Sequence, residues 1–87
     1  RSYELEEGES KNHVVYGVEH TVKLLIVEDV YPLSATFEID GEVSPQMSIG
    51  DVFEGNNEFN LFIEHIFSSA ASEYENDEGP NSQYKVN

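Results

Sequence analysis

The chain has no cysteine and only four lysines and arginines among its 87 residues. Without cysteine there are no disulfides, no zinc thiolate sites and no cysteine nucleophiles, although this absence assigns no compartment. No run of 18 apolar residues occurs, so no segment is long and apolar enough to cross a bilayer as a helix. Four cations against 18 carboxylates leave a net charge of −14. A chain so acidic repels phosphate backbones and anionic lipid, which argues against nucleic-acid partners and membrane insertion. The Asn-x-Ser/Thr pattern is also missing at Asn12, Asn56, Asn57, Asn60, Asn76 and Asn81, so conventional N-glycosylation is not expected.

The motifs of catalysis are missing as well. There is no Gly-x-Ser-x-Gly elbow and no glycine-rich phosphate loop. His13, His20 and His65 stand in none of the HxH, HxxxH or HExxH spacings, and are read as surface or strand-face residues. Carboxylate pairs such as Glu6-Glu7 are neighbours along the chain, so on a strand they point to opposite faces. The expectation is a protein that is not an enzyme and carries no cofactor.

What remains is 38% hydrophobic and 11% aromatic, enough for a packed globule and too much for a disordered acidic tail. At this length the chain is one domain, residues 1–87, with a thin core. It opens on Arg1-Ser2-Tyr3 with no initiator Met, which suggests a cleaved signal peptide or a start inside a precursor; cleavage is the favoured reading.

Turn signals divide the chain into segments of 4 to 10 residues: Gly8, Gly17, Asp40-Gly41, Ser44-Pro45, Gly50-Asp51, Gly55-Asn56-Asn57 and Gly79-Pro80-Asn81. That spacing predicts an all-β fold, a small two-layer antiparallel β-sandwich. Ser34–Asp40 is the clearest strand, with Ala35, Phe37 and Ile39 on one face and Thr36, Glu38 and Asp40 on the other. His20–Val30 reads as a central strand: Val22, Leu24 and Ile26 share one face, Leu25 and Val27 the opposite one. Short strands are expected around Tyr3–Leu5, His13–Tyr16, Asp51–Phe53 and Ser82–Val86.

The segment from Glu58 fits two periods. Phe59, Phe62, Ile63, Ile66, Phe67 and Ala70 fall at helical spacing, whereas Phe59, Leu61, Ile63 and Phe67 share a strand face. An internal likeness favours strand: Val22-Lys23-Leu24-Leu25-Ile26 parallels Phe59-Asn60-Leu61-Phe62-Ile63, and Thr36–Asp40 parallels Gln83–Asn87. The sandwich is therefore expected to consist of two duplicated halves. Its shared core is predicted to be Val22, Leu24, Ile26, Phe37, Ile39, Phe59, Leu61 and Ile63.

The order Leu5-Glu6-Glu7-Gly8-Glu9-Ser10, a Gly turn, a Val-x-Leu-x-Ile strand and then Ser34-Ala-Thr-Phe-Glu-Ile-Asp-Gly41 resembles the surface-layer β-sandwich domains of archaeal cell-surface proteins. The second half continues the likeness through Ser48-Ile-Gly-Asp51, Phe59–Phe67 and Gly79-Pro-Asn-Ser-Gln-Tyr-Lys-Val86. The resemblance implies an extracellular structural role and brings no catalytic residues.

Two functional readings follow. One is a structural subunit, a fibre or surface-layer element that polymerises with copies of itself through strand edges. Here residues 1–7 act as an exchanged N-terminal strand, since Arg1–Leu5 holds neither of the usual edge guards, Lys or Pro. Tyr3, Leu5, Leu25 and Val27 are its candidate assembly residues. The alternative is a monomeric extracellular adhesion module for carbohydrate or protein, using Tyr31, Tyr74 and the acidic loops. The acidic loop over 68–80 fails the EF-hand pattern, with Glu78 at position 6 counted from Glu73. Glu73, Glu75 and Asp77 remain candidates for a looser Ca²⁺ site.

Overall fold

The computed structural model describes residues 1–68 and 80–87. Eight strands follow one another: β1 (Ser2–Glu6), β2 (Ser10–Val15), β3 (Val18–Glu28), β4 (Ser34–Ile39), β5 (Glu42–Val43), β6 (Val52–Glu54), β7 (Asn60–Phe67) and β8 (Asn81–Val86). They form two four-stranded antiparallel sheets, ordered β1-β8-β7-β6 and β2-β3-β4-β5. This is the small all-β sandwich that the turn spacing predicts. The aromatic and β-branched segment after Glu58 is a strand, and there is no helix among the described residues. Asn57 and Glu58, at φ 57° and 60°, form the turn before it. The pair likened in sequence, β3 and β7, each sit second from an edge, with β4 and β8 beside them in turn.

Local chemistry sets the turns. Tyr16-Gly17 (φ 51° and 76°) and Asp40-Gly41 (φ 53° and 84°) close two-residue hairpins, whose positive-φ turn matches the twist of the flanking strands. The second makes the two-residue strand β5, too short to carry a period of its own.

Inside lie Leu5, Val22, Leu24, Val27, Ala35, Phe37, Ile39, Met47, Phe59, Leu61, Ile63, Ile66 and Tyr84. Seven of the eight predicted core residues are among them, and Ile26 is not. Opposite β4, Leu24 faces Phe37 but Ile26 faces Thr36, so Leu25 is one extra residue on β3. A bulge of this kind reverses which face each later side chain takes. Ile26 is therefore 45% exposed and Val27 only 7%. β7 has the same device at Glu64, between the pairs Ile63–Tyr84 and His65–Gln83. Beyond it Ile66 is buried, and Phe67, predicted to share the face of Ile63, is half-buried.

The bulge in β3 is held from the side. The turn between β1 and β2 gives Gly8 N–H to Leu24 O at 2.8 Å and takes Leu24 N–H on Glu9 O at 3.0 Å. The Val27 N–H, turned toward this side by the extra residue, donates to the Glu7 carboxylate at 2.7 Å.

Truncating Phe37 or Leu61 to Ala is expected to cost about 2–5 kcal/mol in urea unfolding, because each leaves a cavity in a thin core. The bulge sets a second expectation. Val27→Ala should destabilise more than Ile26→Ala, although the latter removes more atoms, and Ile26→Ala should stay within about 0.5–1 kcal/mol. The reverse order would place the bulge elsewhere.

Candidate interaction surface

The three histidines all lie on strands, as expected, and divide between core and surface. His65 is exposed. His13 and His20, paired across β2 and β3, both point inward and are buried. His13 Nε2 lies 2.8 Å from the Tyr84 hydroxyl and its ring meets the edge of Tyr3 at 4.4 Å, tying the two sheets together. Burial, and after it the nearby Lys11 ammonium, lowers the His13 pKa. Burial likewise pushes the Tyr84 hydroxyl far above its usual range, so it stays protonated.

His20 stacks on Phe59 with ring centres 4.2 Å apart, and its Nδ1 lies 2.6 Å from Asp40 Oδ2. The Thr21 N–H donates to the other Asp40 oxygen at 2.8 Å. Desolvation alone would raise the Asp40 pKa, but these hydrogen bonds and the His20 charge outweigh it and hold the carboxyl below its usual value. An Asp–His pair invites a catalytic reading. Here the free nitrogen, Nε2, is buried in the core without a partner among the described residues, closed to any substrate. Among the described residues no three His, Asp or Glu side chains come together as metal ligands. Glu73, Glu75, Asp77 and Tyr74 lie outside the described residues.

The candidate assembly residues of β1 and β3 are mostly interior. Leu5 is fully buried and Tyr3 half-buried, with β1 paired to β8 of its own chain. Val27 is buried and Leu25 half-buried, because the bulge removes the second apolar face read for β3. As placed, Leu5 and Val27 offer nothing to a neighbour.

The edges are unequal. The sheets end on β1, β6, β2 and β5. β1 is guarded by residues from the following segment. Lys11 Nζ donates to Glu4 O at 2.9 Å, the Glu6 N–H donates to the Glu9 carboxylate at 2.8 Å, and Glu9 N–H donates to Glu6 O at 3.0 Å. Arg1–Leu5 contains neither Lys nor Pro, but the fold delivers a lysine to it. β5 is two residues long and runs into Ser44-Pro45, after which Met47 pairs with Ala35 through two 2.8 Å bonds. β6 is three residues long.

β2 is different. Its hairpin with β3 pairs Val15 with Val18, His13 with His20 and Lys11 with Val22. The Thr21 carbonyl accepts from Asp40 N–H at 2.9 Å, on the β4 side. By the alternation of an antiparallel ladder, the backbone groups of Ser10, Asn12 and Val14 face outward. Among the described residues, none of these outward groups has a partner. Serine, lysine, asparagine, histidine and valine build this strand, and no acid occurs from Ser10 to Val18.

Exposed apolar side chains gather at the two ends of β3. At its start stand Val14, Tyr16 and Val18, with Tyr16 71% exposed at the hairpin tip. Past its end stand Val30, Tyr31 and Ile49, with Tyr31 92% exposed. There Tyr31, Pro32, Leu33, Ser48 and Ile49 wall a depression of about 220 Å³, following a cis Tyr31-Pro32 peptide. Glu28 stands in an adjoining depression that shares Tyr31 and Pro32. Of the candidate interaction residues that the sequence singled out, Tyr31 alone among the described residues falls on an exposed apolar surface. The β2 edge was missed, though its freedom from acids was a legible signal.

The histidine seam makes stability depend on pH. Below about 6.5 the unfolded chain binds a proton at His13 that the folded chain, with its lowered pKa, refuses, so folding weakens as pH falls through that window. The Asp40 contribution is present above about 3.8 and is lost as pH drops through its lower folded value. Relief of repulsion among the carboxylates acts the other way, so the readout is a difference. Between about pH 7.5 and about pH 5.5, the urea midpoint of the intact chain should fall relative to that of His13→Gln.

No family model, no curated protein and no solved structure matches the chain.

Proposed function

We propose that the domain is a structural subunit of an extracellular assembly, joined to copies of itself through strand edges, with β2 as the joint. The observation that carries this reading is the β2 edge: six residues long, free of acids, with the outward backbone groups of Ser10, Asn12 and Val14 unpaired among the described residues. Natural sandwiches defend such edges, and the other three are defended by length, proline or side-chain caps. In the single chain the N-terminal strand pairs with β8 of its own sheet, and this reading places the joint at β2 instead.

The partner that fits is β2 of a second copy, added antiparallel about a two-fold axis. Residues 10, 12 and 14 then face their counterparts in reverse order, with Asn12 opposite Asn12 and Ser10 opposite Val14. Charge favours this edge over any other. A −14 subunit repels its copies, but the repulsion falls off over about 8 Å at physiological salt, and β2 brings no carboxylate to the contact. A strongly acidic surface suits an extracellular setting, where mutual repulsion keeps unassembled subunits soluble.

Single-cysteine variants test the register, since the chain has no cysteine of its own. Asn12→Cys should oxidise readily to a covalent dimer, because paired Cα atoms across a two-fold lie about 5.5 Å apart, within disulfide range. Val14→Cys, opposite Ser10, should cross-link far more slowly. If the intact chain stays monomeric at high concentration in salt and both variants dimerise at the same slow rate, the reading is wrong.

A further inference from the structure

We infer that the domain also joins end to end, the Tyr16 tip of one copy seating in the Tyr31–Ile49 depression of the next. This rests on the self-assembly reading and adds a second, axial contact to it.

Knob and hole sit at opposite ends of the molecule. β3 has 11 residues and spans about 36 Å at about 3.3 Å per residue, close to the 40 Å long dimension. The Tyr16-Gly17 turn precedes it and the Val30–Leu33 loop follows it. A contact between two such patches is heterologous: each copy offers one knob and one hole, so the contact repeats and builds a chain.

Tyr16 is an unusual residue for its place. Two-residue turns of this hand favour Asn-Gly or Asp-Gly, and a bulky side chain at φ 51° is disfavoured by its own Cβ. The other such turn uses Asp40-Gly41. An aromatic ring held in that conformation and left 71% exposed makes no return to the fold in burial. Strain of this kind, kept where the fold gains nothing, marks a residue retained for contact.

The depression suits it in size and in chemistry. At about 220 Å³ it lies below the range of about 300–1,000 Å³ typical of small-molecule sites, yet has room for a single ring. Its walls are Tyr31, Pro32, Leu33 and Ile49, with Ser48 as the polar group. Glu28 stands in the adjoining depression, so an entering segment is favoured when it carries no acid. The segment Ser10–Val18 meets that requirement, and Val14 and Val18 flank the ring as further apolar contacts.

The test uses full-length chains carrying Asn12→Pro, which an edge strand accommodates where its N–H faces solvent and which removes the β2 contact. In this background, single-file oligomers are expected by sedimentation velocity and electron microscopy. Tyr16→Asn, which installs the favoured turn residue and so keeps the hairpin, should reduce them to monomers. Ile49→Arg should do the same by blocking the hole, and Ser48→Arg replaces it if that variant does not fold. Mixing the Tyr16→Asn and Ile49→Arg chains should restore one junction per pair, giving 1:1 dimers and nothing longer. Oligomers that survive either substitution, or a mixture that stays monomeric, overturn the axial contact. A monomeric Asn12→Pro chain overturns it too, while the cysteine cross-links report separately on the β2 joint.

Discussion

One extra residue in each central strand governs how this sandwich closes. Leu25 in β3 and Glu64 in β7 each stand unmatched opposite the neighbouring strand. Side chains on a strand alternate strictly, so one inserted residue exchanges inside for outside along everything beyond it. Val27 and Ile66 thereby enter the core, and Ile26 leaves it. The same step turns the Val27 N–H toward the Glu7 carboxylate, and the turn joining the two sheets is clamped against the bulge. Without the bulge, Leu25 and Val27 would both fall on the outer face, opposite Val22, Leu24 and Ile26.

The clamp organises the flank where β1 and β2 run together. Lys11 reaches from one sheet to a carbonyl of the other, and His13 reaches inward to Tyr84. These bonds use polar side chains to join the rims of two layers, a place where a small apolar core has little area to offer. They also guard β1 while leaving β2 open. The exposed edge therefore follows from how the first turn is anchored: the residues that could have covered β2 are engaged with β1 and β3.

Charge and shape then divide the surface. The carboxylates surround most of the molecule and keep copies apart at long range. In the proposed assembly, contacts between copies must be short-ranged and locally free of acids. The stretch from Ser10 to Val18 supplies both kinds, backbone groups along β2 and an aromatic ring at the hairpin tip. At the other end of β3, apolar walls stand next to Glu28, so any segment seated there is limited by charge as well as by size.

The sequence by itself determined the class of fold, the hairpin at Asp40-Gly41, the alternation of β4 and seven of the eight core residues proposed from it. These are local properties: turn residues and a period of two are written in neighbouring positions. It also marked Tyr31. Only the tertiary structure decided the rest. Whether Ile26 or Val27 is buried depends on register against β4, which no window of β3 contains. That His13 and His20 are interior depends on Tyr84 and Phe59, far away in the chain. And Arg1–Leu5, bare of guards in sequence, is guarded by Lys11 and Glu9, because strand edges are defined by what lies beside them in space.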